Sequence, residues 1–417
     1  MSLMPEKNLR HRLITMTGRD PVESHRSATP LELLFDLTFV IAIGQASGQF
    51  SHLIAEAHFV SALAAFGFAI FAIVWAWINF TWFASAYDTD DWFYRVTTMV
   101  QMIGVIVVAL GMPALFHSID AGDHLDNRVM VIGYVVMRVA LVLQWLRAAK
   151  QDPERRATAL GYAKYVSIAQ IGWLFVAFTS LELLPTLAIS LVLFALEMAG
   201  PVLSERKTSG TPWHPHHIAE RYGLLTIITL GEGIFGTVAT VSAMIEESGW
   251  TMDAVLILVA GIGLTFGLWW NYFLVPSGDV LAKFRGKAWG WGYGHIIVFG
   301  SIAATGAGLH VAAYVIEGES ELGNVGAVLA VAIPVLIFCV AIFALYAFLL
   351  GEFDPFHIGL MVATTAVVLI AVALAAGGAS IGLCLIVVML APAVIVFGYE
   401  TIGHRHEARM LERLRAS

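Results

Sequence analysis

Asp36, Gln45, Arg138 and Glu232 are polar or charged where the surrounding sequence is oil-like. An ionisable side chain inside an apolar run is costly in a bilayer, so it normally faces a bundle interior, a partner or a solute path. Asp36 lies one helical turn beyond Glu32 on the same face, roughly 9 Å into a helix that opens at Pro30, at 1.5 Å per residue. Glu232 follows Glu220 by twelve positions and so sits about 18 Å along its helix, near the midplane. Its flanking Gly231, Gly233 and Gly236 thin one helix face and allow close approach or local unwinding, as where a binding site interrupts a spanning helix. Arg138 falls midway along another span and must find an anion or carbonyls, with Asp36 and Glu232 the expected partners. If it neutralises one carboxylate, the other is left free to titrate.

A second group has more ordinary explanations. Thr29-Pro30-Leu31-Glu32 reads as a capping box with proline at the first helical position, which makes Glu32 a cap before anything else. Glu220 is expected in the first turn of its helix, where the dipole favours a carboxylate. Its neighbour Arg221 is expected near the interface, snorkelling or meeting phosphate. Asn79 and Asn271, each beside tryptophan, either line the same cavity as the four principal residues or belong to interfacial aromatic anchors. His214-Pro-His216-His217 with Glu220 has the donor types of a zinc or copper site, but a loop position and the intervening proline favour solvated histidines. His117 and His310 recur at the outer ends of two spans, where interface hydrogen bonding is the simpler reading of a possible pH gate. No Walker loop, nucleophile elbow or Rossmann fingerprint follows a strand. Neither a metal nor another cofactor is expected.

These residues must be positioned by membrane-spanning helices. Of 417 residues, 59% are hydrophobic and only 13% charged, with mean hydropathy +0.79; soluble domains run near a quarter charged. The long unbroken apolar runs also exclude a β-barrel, whose strands alternate over short segments. The predicted fold is an all-α polytopic bundle with twelve spans at 31–54, 58–86, 94–116, 128–149, 158–180, 182–202, 221–246, 251–275, 289–316, 323–350, 356–376 and 379–403. All but Arg128 and Arg138 of the 23 lysines and arginines then fall on the side of the N-terminus, which places both termini in the cytoplasm by the positive-inside rule. Cys339 and Cys384 lie in apolar runs and read as small buried hydrophobes. The net charge of −8 is spread over loops without a basic block, so nucleic acid is not an expected partner; the bilayer is. No cleavable signal peptide is read in the polar first thirty residues.

The chain also reads as a duplication. Glu32 aligns with Glu220 and Leu37-Thr38 with Leu225-Thr226; after a one-residue shift, Ile41-Ala-Ile-Gly44-Gln45 aligns with Ile228-Thr-Leu-Gly231-Glu232. Trp77-Ile-Asn79-Phe80 lies over Trp269-Trp-Asn271-Tyr272. Six spans per half predict halves related by an axis along the membrane normal, with the first and seventh spans facing each other. Gln45 and Glu232 would then meet, a neutral hydrogen-bonder and a titratable acid able to hold one proton or cation between them. A π-bulge could absorb the extra residue. The corresponding organisation is an N-terminal segment 1–30, a first half 31–203, a linker 204–220, a second half 221–403 and a tail 404–417.

Pro30-Leu-Glu32-Leu-Leu-Phe-Asp36-Leu-Thr-Phe-Val-Ile-Ala, together with His217-Ile-Ala-Glu220-Arg221-Tyr-Gly223-Leu-Leu-Thr-Ile-Ile-Thr-Leu-Gly231-Glu232, resembles the bacterial low temperature requirement A family. The resemblance covers nearly the whole chain and implies a multi-pass bacterial plasma-membrane protein linked to growth in the cold, without fixing a substrate, reaction or cofactor. The expected function is a secondary transporter or permease-like protein for a small or lipidic solute, proton-coupled through Glu232. The competing classes are a membrane-embedded protein that processes or binds lipid, favoured by a cavity opening sideways to lipid, and a non-transporting sensor or scaffold.

Overall fold

A computed structural model describes residues 13–403, apart from 24–25, 180, 207–209 and 352–354; of the expected N-terminal segment 1–30, residues 1–12 and 24–25 lie outside the described residues, as does the whole tail 404–417. The described chain is all helix, without strands. The helices are α1 (Pro30–Ala55), α2 (Phe59–Tyr87), α3 (Trp92–Leu110), α4 (Met112–Ala121), α5 (Arg128–Gln151), α6 (Arg156–Phe178), α7 (Leu183–Glu205), α8 (Pro215–Ser248), α9 (Met252–Phe273), α10 (Ser277–Lys283), α11 (Ala288–Glu317), α12 (Asn324–Leu350), α13 (Pro355–Ala376) and α14 (Ile381–Gly398). Every expected span corresponds to one of these, with α3 and α4 forming a single span broken at Gly111. Eleven helices or helix pairs among the described residues are long and apolar enough to cross a bilayer. The twelfth expected span, α6, falls short on composition, diluted by Lys164, Ser167 and Gln170.

Helix starts follow local chemistry. Thr29, Asp91, Thr251 and Ser380 each accept a backbone N–H in the first turn of α1, α3, α9 and α14. At α8 the cap is His214, whose ring accepts the N–H of His217, with Pro215 at the first helical position. The helix therefore begins within the segment read as a linker. Both α1 and α8 are regular α-helices throughout, so the expected π-bulge is absent from them; the π-turn among the described residues is Tyr399–Gly403, after α14.

Two intimate helix pairs use missing side chains, the device that lets backbones approach in lipid. Gly104 of α3 faces Gly133 of α5, and Gly236 of α8 faces the carbonyl of Gly306 of α11; a Cβ at any of them would overlap the neighbouring backbone. The apolar core forms two clusters, and α11 contributes to both: Phe299, Ala303 and Ala307 to the one built on α1 to α7, Val298, Ile302 and Leu309 to the one built on α9 to α14. α1, α8 and α11 pack mutually and so form the contact between the two parts of the chain.

Candidate functional site

The capping box opening α1 is present: the Glu32 amide donates to Thr29 Oγ1 (3.3 Å) and the Thr29 amide donates to Glu32 Oε2 (2.7 Å). Capping uses only part of the Glu32 carboxylate. The side chain is fully buried and also meets Arg221 Nη1 at 3.1 Å, His217 Nε2 at 3.2 Å and Arg26 Nη2 at 3.7 Å. One turn deeper, Asp36 accepts from Trp77 Nε1 at 2.7 Å and from Arg221 Nη2. Arg221 is thus fully buried between two carboxylates of α1, not snorkelling at the interface as expected. The reason is lateral: α1 and α8 lie side by side, and a guanidinium nearly two turns into α8 bridges two acids spaced one turn apart on α1.

The network continues outward. Arg26 lies 3.7 Å from Asp88, in the turn after α2, and donates to the Ala84 carbonyl at 3.3 Å. Burial, with the like charge of Glu32, pushes the Asp88 carboxyl up to about 6 against the pull of Arg26. Nearby Asp91 caps α3 and behaves oppositely. Burial works upward there too, but hydrogen bonds from Arg147 and from the amides of Tyr94 and Ile14 outweigh it and hold the carboxyl below its ordinary value. Several buried atoms of the network make no hydrogen bond among the described residues: Asp36 Oδ2, Asp88 Oδ2, His217 Nδ1, and Nε of both Arg26 and Arg221. The cluster therefore holds spare donors and acceptors, unusual for buried polar groups.

Glu232 is buried, 6% exposed, in the seam where α1, α8 and α11 meet. Its carboxyl lies against Gly44 and Ser47 of α1, and its backbone against Gly306 of α11. No cationic side chain among the described residues pairs with it. The expected encounter with Gln45 does not occur: Gln45 is exposed on the outer face of α1, and Gly44 occupies the position opposite the acid. One residue on a helix is a rotation of about 100°, so a one-residue error in the facing position turns a side chain from the seam to the lipid. Of the three glycines beside Glu232, Gly233 lies against Thr265 and Gly236 against α11, whereas a Cβ at Gly231 would meet open space; no unwinding accompanies them.

Arg138 joins neither Asp36 nor Glu232. It pairs with Glu197 of α7 at 3.0 Å and donates to the Tyr134 hydroxyl at 3.1 Å, over whose ring its guanidinium also sits. Gln170 and Trp173 of α6 donate to the other oxygen of Glu197 at 3.3 and 3.0 Å. The four principal residues therefore do not form one site. Asn79 donates to the Trp75 carbonyl at 2.8 Å and Asn271 to the Pro392 carbonyl at 3.1 Å, each within its own half. Glu220 accepts from the Ala28 amide at 3.2 Å near the surface, outside the buried network. The three histidines diverge: His214 to the Glu23 carbonyl, His216 toward Asp279, His217 to Glu32.

Glu197, Arg26, Asp88 and Trp77 join these clusters without having been singled out as site residues, and His217, expected to be solvated, is fully buried against Glu32. A signal existed for Glu197, the one acid in the span 182–202 besides Glu182 at its first position, and for Trp77 in the Trp-x-Asn pattern that occurs again at 269–271.

The profile of the bacterial low temperature requirement A protein (LtrA) family matches residues 27–392, which include every residue of both clusters except Arg26. An uncharacterized protein of Rhizobium meliloti (strain 1021) is 27% identical over 295 residues, 66% of this chain and 67% of that protein. No solved structure matches.

Proposed function

Since the chain belongs to the bacterial low temperature requirement A family and is an integral membrane protein of many apolar helices, we propose that it is a permease-like secondary transporter whose two halves are latched at one end by the α1–α8 charge network. The observation that carries this reading is that Glu32 and Asp36 come from the first half and His217 and Arg221 from the second, so the buried ion pairs cross from one half to the other. Rocking of one half against the other around a central site is how parallel-repeat transporters work. The lysine and arginine distribution supports an inner-membrane placement with both termini and this latch on the cytoplasmic side.

Proton coupling through Glu232 is the second element of the proposal. A carboxyl deep in the seam between halves, facing a glycine and a serine with no cation to neutralise it, is suited to bind and release a proton as the seam opens. pH-difference infrared spectroscopy of the reconstituted protein tests it. The expected result is a protonated-carboxyl band that titrates in the parent and is missing in Glu232→Gln; an unchanged band in that variant overturns the assignment.

A further inference from the structure

A cavity of about 540 Å³ lies between the halves, walled by α1 and α2 on one side and α11 and α12 on the other. It occupies the opposite end of α1 from the charge network: Phe50 and Ile54 line it, whereas the network is built on Glu32 and Asp36. Its outer end is closed by the α11–α12 loop, where the Ser320 hydroxyl and the Glu321 amide both donate to the Ala55 carbonyl at 2.9 Å, and Leu322 of the same loop is part of the wall. The mouth is lateral. Phe59, Leu63, Ile297 and Ile333 are each about half exposed on the apolar surface that faces the bilayer.

We propose that this groove seats one hydrocarbon chain of a lipidic molecule, admitted sideways from the bilayer leaflet, the opening that favours the lipid-binding class; within the permease reading such a molecule is the carrier's solute class. The binding claim stands on the groove alone; the claim that the chain is cargo rests on the permease reading above. Three observations fix the chemistry. The volume is that of a ligand site, within the ~300–1,000 Å³ such sites occupy. The lining is apolar except for Ser301, whose hydroxyl is already donated to the Val298 carbonyl at 2.8 Å, so a polar solute would lose its hydration for nothing. With the outer end closed by the loop and the other end latched, the open route runs through hydrocarbon, where only an apolar chain is at home. The groove's place between the halves, at the end away from the latch, distinguishes it from an ordinary furrow between two lipid-facing helices.

The test uses full-length protein in nanodiscs of phosphatidylethanolamine and phosphatidylglycerol containing a phospholipid with a diazirine on its acyl chain, with crosslinks mapped by mass spectrometry. Gly67→Phe fills the groove from α2, where a Cβ meets open space, and Ile333→Trp narrows the mouth from α12. Val362→Trp, on the exposed face of α13, is the control. Expected are crosslinks on Ile297, Ala304 and Ile333 at least fivefold denser than on Val362, falling to the Val362 level in both filled variants and unchanged in the control. Even labelling of all lipid-facing positions overturns the proposal, as does a dimer in native mass spectrometry that falls apart in Gly67→Phe, which would make a second copy the occupant. Persistence of the groove crosslinks in Arg221→Met and Glu232→Gln, alongside an unchanged infrared band in the latter, would retain the lipid seat and remove the coupled carrier.

Discussion

Arg138 and Arg221 are both sealed inside the bundle, and their surroundings differ in a way that bears on what each does. Arg138 is served within one half: Glu197 takes the charge, Tyr134 a hydrogen bond, and Gln170 and Trp173 occupy the other carboxylate oxygen. Arg221 reaches across to the other half and shares Glu32 with Arg26 and His217, while Nε of both Arg138 and Arg221 is left unbonded among the described residues. The Arg138–Glu197 pair, with Gln170 and Trp173, ties α5, α6 and α7 together. Around Glu32 three cationic groups are interchangeable, so losing one of them does not strand that carboxylate, whereas Asp36 has Arg221 as its one cationic partner among the described residues. Buried ion pairs are poor evidence of net stability in either case; the contrast lies in what happens when a partner is removed.

Glu197→Leu should give the largest effect. It strands Arg138 in an apolar interior, and breaking a buried pair in this way costs about 3–5 kcal/mol, visible as a lowered midpoint of thermal unfolding in detergent and poor recovery of folded protein. Adding Arg138→Met should restore most of the loss. Arg221→Met should cost less than Glu197→Leu, since Arg26 and His217 remain against Glu32 and Trp77 still donates to Asp36, which loses its ion-pair partner. If it is as damaging as Glu197→Leu, the two regions are equally structural and the contrast fails.

Smaller perturbations sharpen the same picture. Thr29→Ala removes the cap of α1 and should cost about 1 kcal/mol, while the ion pairs of Glu32 survive. Asp88→Asn should act mainly on pH dependence. The folded carboxyl, raised to about 6 from the ordinary 3.8, binds its proton more tightly than the unfolded chain does. Its contribution to stability is therefore complete below about 3.8, falls as pH rises from there to about 6, and is flat above. Melting temperature followed across that window should decline less steeply in Asp88→Asn; an identical slope would show that the group does not titrate there.

Much of the fold was legible in the sequence because membrane helices announce themselves by length and apolarity, and the Thr29 to Glu32 cap by a spacing of three residues. The site was legible only in part. Glu32, Asp36 and Arg221 could be named as charged residues opening two helices, and the proposed duplication predicted that the first and seventh spans face each other, yet their pairing depends on which helix faces meet. Arg138 shows the limit most plainly: spacing along one helix carries no information about whether its neighbour is α1 or α7, and the acid that satisfies it, Glu197, was hidden in an otherwise apolar run. Gln45 shows another, since a one-residue shift in the alignment of halves rotates the side chain out of the seam.

The latch is tested most directly by a distance across it. Spin labels at Leu34 on α1 and Ile227 on α8, both about half exposed, can be placed selectively because Cys339 and Cys384 are buried. Pulsed electron resonance on the reconstituted protein should give one short distance, and Arg221→Met should add a longer population as the halves part. A single distribution, the same in the parent and in Arg221→Met, would mean that the charge network is fixed packing and that the halves do not move there.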